Sequence, residues 1–238
     1  MRNFTGLILF FCALSAMGQP GGSPAPVPAT FSDSLVKIYQ NGLGVDLPIY
    51  NGRQFYGYSA SIKEHAFYPA NEWVTGSVLY DKMWYHRVQL MYDVYKDELV
   101  TMHPNGVPFI LVSDRVQEFS FNGYVFVRLF ANKDNSINTG FYQQLSSGKA
   151  TAFAKRIKIL EEKINGLEIE RKFLTKDIFY IEKDSIYTKI RKAQSVLSVL
   201  KDKHSELAQY LGQGKMRYKA GPEAYITHVT EFYNKLYQ

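Results

Sequence analysis

Residues 73–130, WVTGSVLYDKMWYHRVQLMYDVYKDELVTMHPNGVPFILVSDRVQEFSFNGYVFVRLF, decide the fold. β-branched and aromatic runs alternate with turn-formers along the whole stretch. Strands are expected at 78–80, 88–92, 99–102, 109–112, 116–121 and 124–129. Between them stand Asp81-Lys82, Lys96-Asp97, Pro104-Asn105-Gly106, Ser113-Asp114 and Asn122-Gly123. Short strands at this spacing argue for an antiparallel meander. Asn122-Gly123 is the sharpest single signal, because a two-residue type I′ turn requires positive φ at both positions.

Working outward toward the C-terminus, 141–145 and 151–159 read as a further hairpin across Ser146-Ser147-Gly148-Lys149. The second of these strands reads as an exposed edge, guarded by its Lys and Arg side chains. The charged run 161–176, interrupted at Asn165-Gly166, fits either a β-excursion or a mobile loop. One more hairpin is expected over 177–181 and 185–189, turning at Glu182-Lys183-Asp184. The period then changes from two to three or four. Ile190, Ala193, Leu197 and Leu200 recur at helical spacing, and Leu207, Ala208 and Leu211 continue it as a second short helix. A last helix opens at Gly221-Pro222-Glu223, with proline in the first turn where its missing N–H costs nothing. Its apolar stripe is Tyr225, Ile226, Val229, Phe232, Tyr233 and Leu236.

Toward the N-terminus, 65–73 is aromatic-rich around Pro69 and reads as a loop packed over the sheet. Residues 47–50 and 54–58 flank Asn51-Gly52-Arg53 as a hairpin or tight loop, and 31–39 fits either a helical turn or a strand. Residues 19–30 are rich in Pro, Gly, Ala and Ser and read as a disordered tether. Residues 1–18 carry the marks of a secretory leader: Arg2, an apolar run over 6–14, and Ala16 and Gly18 at the positions preceding a cut. Cys12 follows two Phe rings rather than small residues, so it does not read as a lipid-anchor site. It would be lost with the leader, leaving a mature chain without cysteine and without disulfides. No second apolar run is long enough for a transmembrane helix. The expected organisation is a signal peptide (1–18), the tether (19–30), a β-rich region (31–189) and a helical region (190–238) packed on the sheet. The fold class is α+β, an antiparallel β-meander in a curved sheet or half-barrel followed by C-terminal helices.

Composition is that of a globular chain: 238 residues, 46% hydrophobic, 21% charged and a net charge of +6. The excess of basic residues is mild and mixed with acids, so it does not form a nucleic-acid footprint. Aromatics stand out, with 18 Tyr and 16 Phe, which suits strands that are half-buried. The chemistry-bearing residues assemble into no known constellation. The five histidines share no metal-ligand spacing, and with no cysteine in the mature chain thiolate metal sites and Cys nucleophiles drop out. His204 reads as a partly buried helix residue and His103 as a turn flank. Asp93, Asp97 and Glu98 lie close together as a paired carboxylate set would, yet Lys96-Asp97 reads as a turn, where Asp serves the backbone. Glu161-Glu162 and Glu168/Glu170 read as surface. Trp73 and Trp84 read as staples of loops to the sheet. The sequence therefore assigns no catalytic, cofactor-binding or metal residue.

Tyr50-Asn51-Gly52, Phe55-x-Gly57-Tyr58, His65-x-Phe67-Tyr68, Trp73-x-x-Gly76-x-Val78-x-Tyr80, Leu90-x-Tyr92-Asp93 and Asp97-Glu98-Leu99 form a pattern with Lys201-Asp202-Lys203 and Tyr233-Asn234. It resembles a family of uncharacterised exported proteins of Gram-negative bacteria. The resemblance implies an envelope or periplasmic setting and no activity. The expectation is a non-lipidated exported protein, in the periplasm or at the cell surface, read as a non-catalytic binding or accessory protein for an envelope protein or a small apolar ligand. Two alternatives stand beside it: a hydrolase of envelope polymers using Asp93, Asp97, Glu98 or His103, and an assembly factor acting through a sheet edge.

Overall fold

Three two-residue turns with both φ values positive set the meander: Asp81-Lys82, Asn122-Gly123 and Asp184-Ser185. Such turns match the right-handed twist of the strands they join, so each fixes its hairpin's register. In the computed structural model the described residues are Gly44, 47–133, 136–166, 168–213 and 216–238. The leader, the tether and the 31–39 segment lie outside them.

The strands are β1 (Gly52–Gln54), β2 (Ile62–Lys63), β3 (Phe67–Tyr68), β4 (Val74–Tyr80), β5 (Met83–Asp93), β6 (Glu98–Met102), β7 (Pro108–Leu111), β8 (Val116–Phe121), β9 (Tyr124–Leu129), β10 (Gly140–Gln144), β11 (Ala150–Lys155), β12 (Lys158–Asn165), β13 (Glu168–Thr175), β14 (Ile178–Lys183) and β15 (Ile186–Ile190). Helices α1 (Ala193–Val199), α2 (His204–Gln213) and α3 (Pro222–Lys235) follow. Twelve strands form one sheet in the order β1-β7-β6-β5-β4-β8-β9-β10-β11-β14-β15, with β3 on β5 in line with β4. The remaining three form a small sheet, β12-β13-β2. The large sheet is open, but it bends strongly. Three strands (β4, β8 and β9) separate β5 from β10, yet the Tyr92 and Phe141 rings meet edge to face at 6.0 Å. Two irregularities help. Arg87 is an extra residue at φ 58° opposite Gly76-Ser77, and the β4–β8 register shifts at Leu79/Tyr80.

The inner face holds an aromatic core. Tyr92, Phe119, Phe126 and Phe141 are all buried, and the Phe119 and Phe126 rings stack at 4.8 Å. Ile49, in a 3₁₀ turn over 48–50, joins this core. Along the same sheet, Ala150 and Ala152 of β11 and Ile181 of β14 meet α3 through Tyr225, Ile226, Val229 and Tyr233. The small side chains of β11 let the helix approach closely. The face beneath α3 is sealed core, each fully buried Ile or Val contributing about 1.5–3 kcal/mol. Glu231 and Lys235 face solvent as the stripe requires.

Four expectations are corrected. The run 151–159 is not one edge strand. β11 ends at Lys155 and lies between β10 and β14, while β12 begins at Lys158 in the other sheet. Lys155 and Arg156 are buried partners of acids rather than edge guards, their side chains being 14% and 3% exposed. Asn51-Gly52-Arg53 does not turn a hairpin, because Gly52–Gln54 pairs with β7. A Cβ on Gly52 would meet the Ile110 carbonyl oxygen at 2.1 Å, so that pairing demands glycine. Phe67–Tyr68 inside the expected loop is a strand on β5. His204 is exposed at the start of α2 rather than partly buried. Among the described residues, no helix is long and apolar enough to cross a membrane.

Asn234 on α3 locks the β10–β11 turn. Its side chain accepts from the Ala150 N–H (2.9 Å) and donates to the carbonyls of Ala150 (2.8 Å) and Ser147 (3.0 Å). Asn234→Ala strands two buried groups of Ala150. It should lower unfolding stability in urea by about 2–3 kcal/mol, whereas Lys235→Ala, one residue on and exposed, should leave it within about 0.5 kcal/mol.

Candidate functional site

Residues 55–73 cross the outer face of β5, β6 and β7. Along β5 and β6 the alternation sends Leu90, Tyr92 and Leu99 inward and Met91 and Val100 outward, yet both sets are buried. Phe67, Met91, Val100 and Ile110 make the floor of this second cluster, with Phe55, Tyr58 and Trp73 packed against it. Gly57, at φ 72°, lets the chain turn between Phe55 and Tyr58.

The far wall is the small sheet. β2 pairs in parallel with β13 at Ile62 and Lys63, which brings Phe173 over the outer face. Tyr58 is the centre of the resulting ring lattice. It meets Phe55 at 6.4 Å, Phe67 at 6.3 Å, Tyr95 at 6.0 Å and Phe173 at 5.3 Å, all edge to face. Lys96 places its ammonium 4.9 Å from the Tyr58 ring centre. Between the wall and the floor lies a cavity of about 450 Å³. Phe55, Tyr58, Phe67, Trp73, Met91 and Phe173 give it apolar and aromatic sides. Ser59, Glu64, His65 and Asn71 supply polar groups. An apolar chamber with few polar groups is the usual form of a small-molecule site.

The electrostatics near the cavity are tightly paired. The Tyr58 hydroxyl donates to Asp93, and Asp93 also accepts from the N–H groups of Tyr95 and Lys96, each at 3.0 Å. Burial raises the Asp93 pKa, and those hydrogen bonds only partly oppose it. Burial, then Asp93 itself, pushes the Tyr58 hydroxyl well above its ordinary value. Lys158, at the start of β12, donates to the His65 carbonyl at 2.5 Å and lies 3.2 Å from its Nδ1. Burial and then the Lys158 charge hold the His65 pKa low, so its ring favours the neutral form. That ring lies nearly parallel to Phe67, at 14°.

None of the carboxylates singled out in the sequence lines this cavity: Asp93 borders it through Tyr58, and others are engaged elsewhere. Asp97 accepts from Tyr92, from the Phe141 N–H and from Lys155. Glu98, the cross-strand neighbour of Asp93, pairs with Arg53. His103 sits at the far end of β6, edge-on to Tyr50 and Phe109. Glu162 and Glu170 pair with Arg171 and Lys63 on the surface. Trp84 is partly exposed and stacks on His86. Among the described residues, no group of three or more His, Cys, Asp or Glu side chains is placed to hold a metal ion. Nothing in their local sequence marks Tyr58, His65 or Phe173 as lining a common cavity. The only available signal was that Phe173 is the one aromatic residue in the charged run 161–176.

No protein-family model, curated protein or solved structure matches the chain.

The raised Asp93 pKa has a definite sign. The fold favours the protonated acid, so the contribution is fully present below the unfolded value, near 3.8, and is lost as pH rises through the folded value. Stability relative to Asp93→Asn should therefore fall as pH rises from about 3.8, by at most about 1.4 kcal/mol per pH unit. Urea unfolding of both proteins between about pH 3.5 and 7 tests this, and a constant difference across that range would contradict it.

Proposed function

We propose that the chain is a non-catalytic binding protein that holds a small apolar or aromatic ligand between the outer face of β5–β7 and the β12–β13 hairpin. The observation that carries this reading is the cavity of about 450 Å³ centred on the Tyr58 ring lattice. Edge-to-face rings favour a planar or aliphatic guest that buries surface without needing its own charge neutralised. The polar rim of Ser59, Glu64, His65 and Asn71 suits one or two hydrogen-bonding groups on an otherwise apolar molecule. The leader-like residues 1–18 support an exported setting, in the periplasm or at the cell surface, where such a protein would capture or carry its ligand. The hydrolase reading draws no support from this cavity, since Asp93, Asp97, Glu98 and His103 are all absent from its lining.

The test uses Trp73 as the reporter. In a Trp84→Phe background Trp73 is the sole tryptophan. Titration with anilinonaphthalene sulfonate should quench its emission and brighten the dye with one-site saturation. Ala60 is exposed on the cavity wall. Ala60→Phe, which fills the chamber without disturbing the core, should weaken dye binding at least about tenfold, or about 1.4 kcal/mol. Dye binding unaffected by Ala60→Phe would remove the cavity from consideration.

A further inference from the structure

The large sheet ends at β15, and no described strand pairs with its outer side. The hairpin geometry says which groups are left open. Asp184-Ser185 is a two-residue turn, so Lys183 and Ile186 form the first hydrogen-bonded pair. In an antiparallel ladder such pairs alternate with open ones. Ile186, Thr188 and Ile190 therefore spend their backbone groups on β14. Tyr187 and Lys189 direct their N–H and C=O groups outward, away from the sheet.

A groove of about 490 Å³ runs beside this edge, between β15 and α1. Ile186, Thr188, Ser195, Ser198, Val199 and Lys201 contribute to its walls. Ile186 is 62% exposed, an unusual cost for an isoleucine on a sheet edge. The charge is one-sided. From Lys183 through Lys203, end points included, there are six basic residues against two acids, Asp184 and Asp202, with Glu182 and Glu206 flanking the span. Both acids already face lysines: Asp202 takes Lys183 at 2.5 Å, and Asp184 lies 3.5 Å from Lys149. Lys189 and Lys201 form no ion pair among the described residues.

We infer that β15 accepts an extended acidic segment of a partner protein as an added strand, antiparallel or parallel, with the β15–α1 groove receiving its alternate side chains. Backbone pairing to Tyr187 and Lys189 supplies the register. Apolar side chains of the guest lie in the groove against Ile186 and Val199, and the alternate, acidic ones meet Lys189 on the other face of the strand. Antiparallel pairing of β15 with a second copy through the same open groups would set Lys189 against Tyr187 and leave the lysines unneutralised, so charge complementarity favours an acidic guest. This surface is separate from the aromatic cavity, so the two can fail independently.

The experiment measures fluorescence anisotropy of a labelled peptide of alternating Glu and Val, with a Lys–Val peptide as counterpart. The acidic peptide should bind and weaken as salt rises, and the basic one should bind at least about tenfold less tightly. Two variants of one position separate charge from pairing. Lys189→Gln removes the charge but keeps the outward N–H, and should weaken binding a few fold. Lys189→Pro also removes that N–H, which β14 does not use, so the hairpin tolerates it. It should abolish binding while urea unfolding and circular dichroism stay those of Lys189→Gln. Equal binding by the two variants overturns strand addition. Equal binding of the two peptides, no binding of the acidic one at millimolar concentration, or dimerisation through this edge overturns the acidic partner.

Discussion

Arg156 is the interaction on which the rest of the arrangement depends. It stands where the chain leaves the large sheet after β11 for the β12–β13 excursion. Its guanidinium donates to Gln143 on β10 (2.7 Å), to Asp177 at the return of the excursion (2.5 Å) and to Glu223 in the first turn of α3 (2.8 Å). It also lies 4.9 Å from the centre of the Tyr68 ring on β3. One side chain thus holds the sheet, both ends of the excursion, the last helix and the segment that floors the aromatic cavity. A planar donor with five N–H groups is suited to this, and lysine is not. Burial alone would lower its pKa, but Glu223, Tyr68 and Asp177 outweigh that and fix the charge. Losing the guanidinium would leave the part-buried Asp177 carboxylate and the buried Gln143 side chain without their partner, while Glu223, 41% exposed, would be rescued by solvent. The loss would fall on four elements together.

A second buried charge explains why an open sheet bends so far. Asp97 sits at φ 59° in the turn between β5 and β6. From there it reaches the Phe141 N–H at the start of β10 and Lys155 at the end of β11 (2.6 Å). The approach is so close that a Cβ on Gly140 would come within 2.2 Å of the Asp97 carboxylate. Glycine at 140 is thus a condition of the bend. The bend in turn presses Tyr92, Phe119, Phe126 and Phe141 into one aromatic core, Phe119 stacked on Phe126 and the others edge to face. Burial pulls the Lys155 pKa down, and the Asp97 charge opposes it.

The meander was legible in the sequence because its information is local. Turn pairs such as Asn122-Gly123 declare their own φ values, and alternation assigns the faces on either side. The helices were legible for the same reason, from Pro222 and the stripe beginning at Tyr225. Lys155 and Arg156 were not. Their partners lie 58 and 67 residues away at Asp97 and Glu223, and a basic pair on a short strand looks locally like edge protection. Phe173 was hidden likewise. Its neighbours in sequence are charged, and its contacts, Tyr58 and Tyr95, come from the opposite side of the cavity. The cavity has walls from segments more than 100 residues apart, so no window of sequence contains it.

This separation has a physical consequence for binding. The floor of the cavity belongs to β5–β7, which are rigid through their inner core. Its far wall belongs to a two-stranded excursion whose outer residues Ile164 and Ile169 are 76% and 56% exposed. That hairpin is anchored at its base by Arg156 and Asp177, and farther out by β2 pairing with Arg171 and Lys172. Between those points Phe173 is the ring that touches the lattice. A guest that inserts beside Tyr58 therefore displaces contacts of one ring from the hairpin while leaving the core of the sheet intact. The energetic cost of opening is confined to a few aromatic edges, each worth about 0.5–1.5 kcal/mol, and a ligand burying a comparable apolar area can replace them.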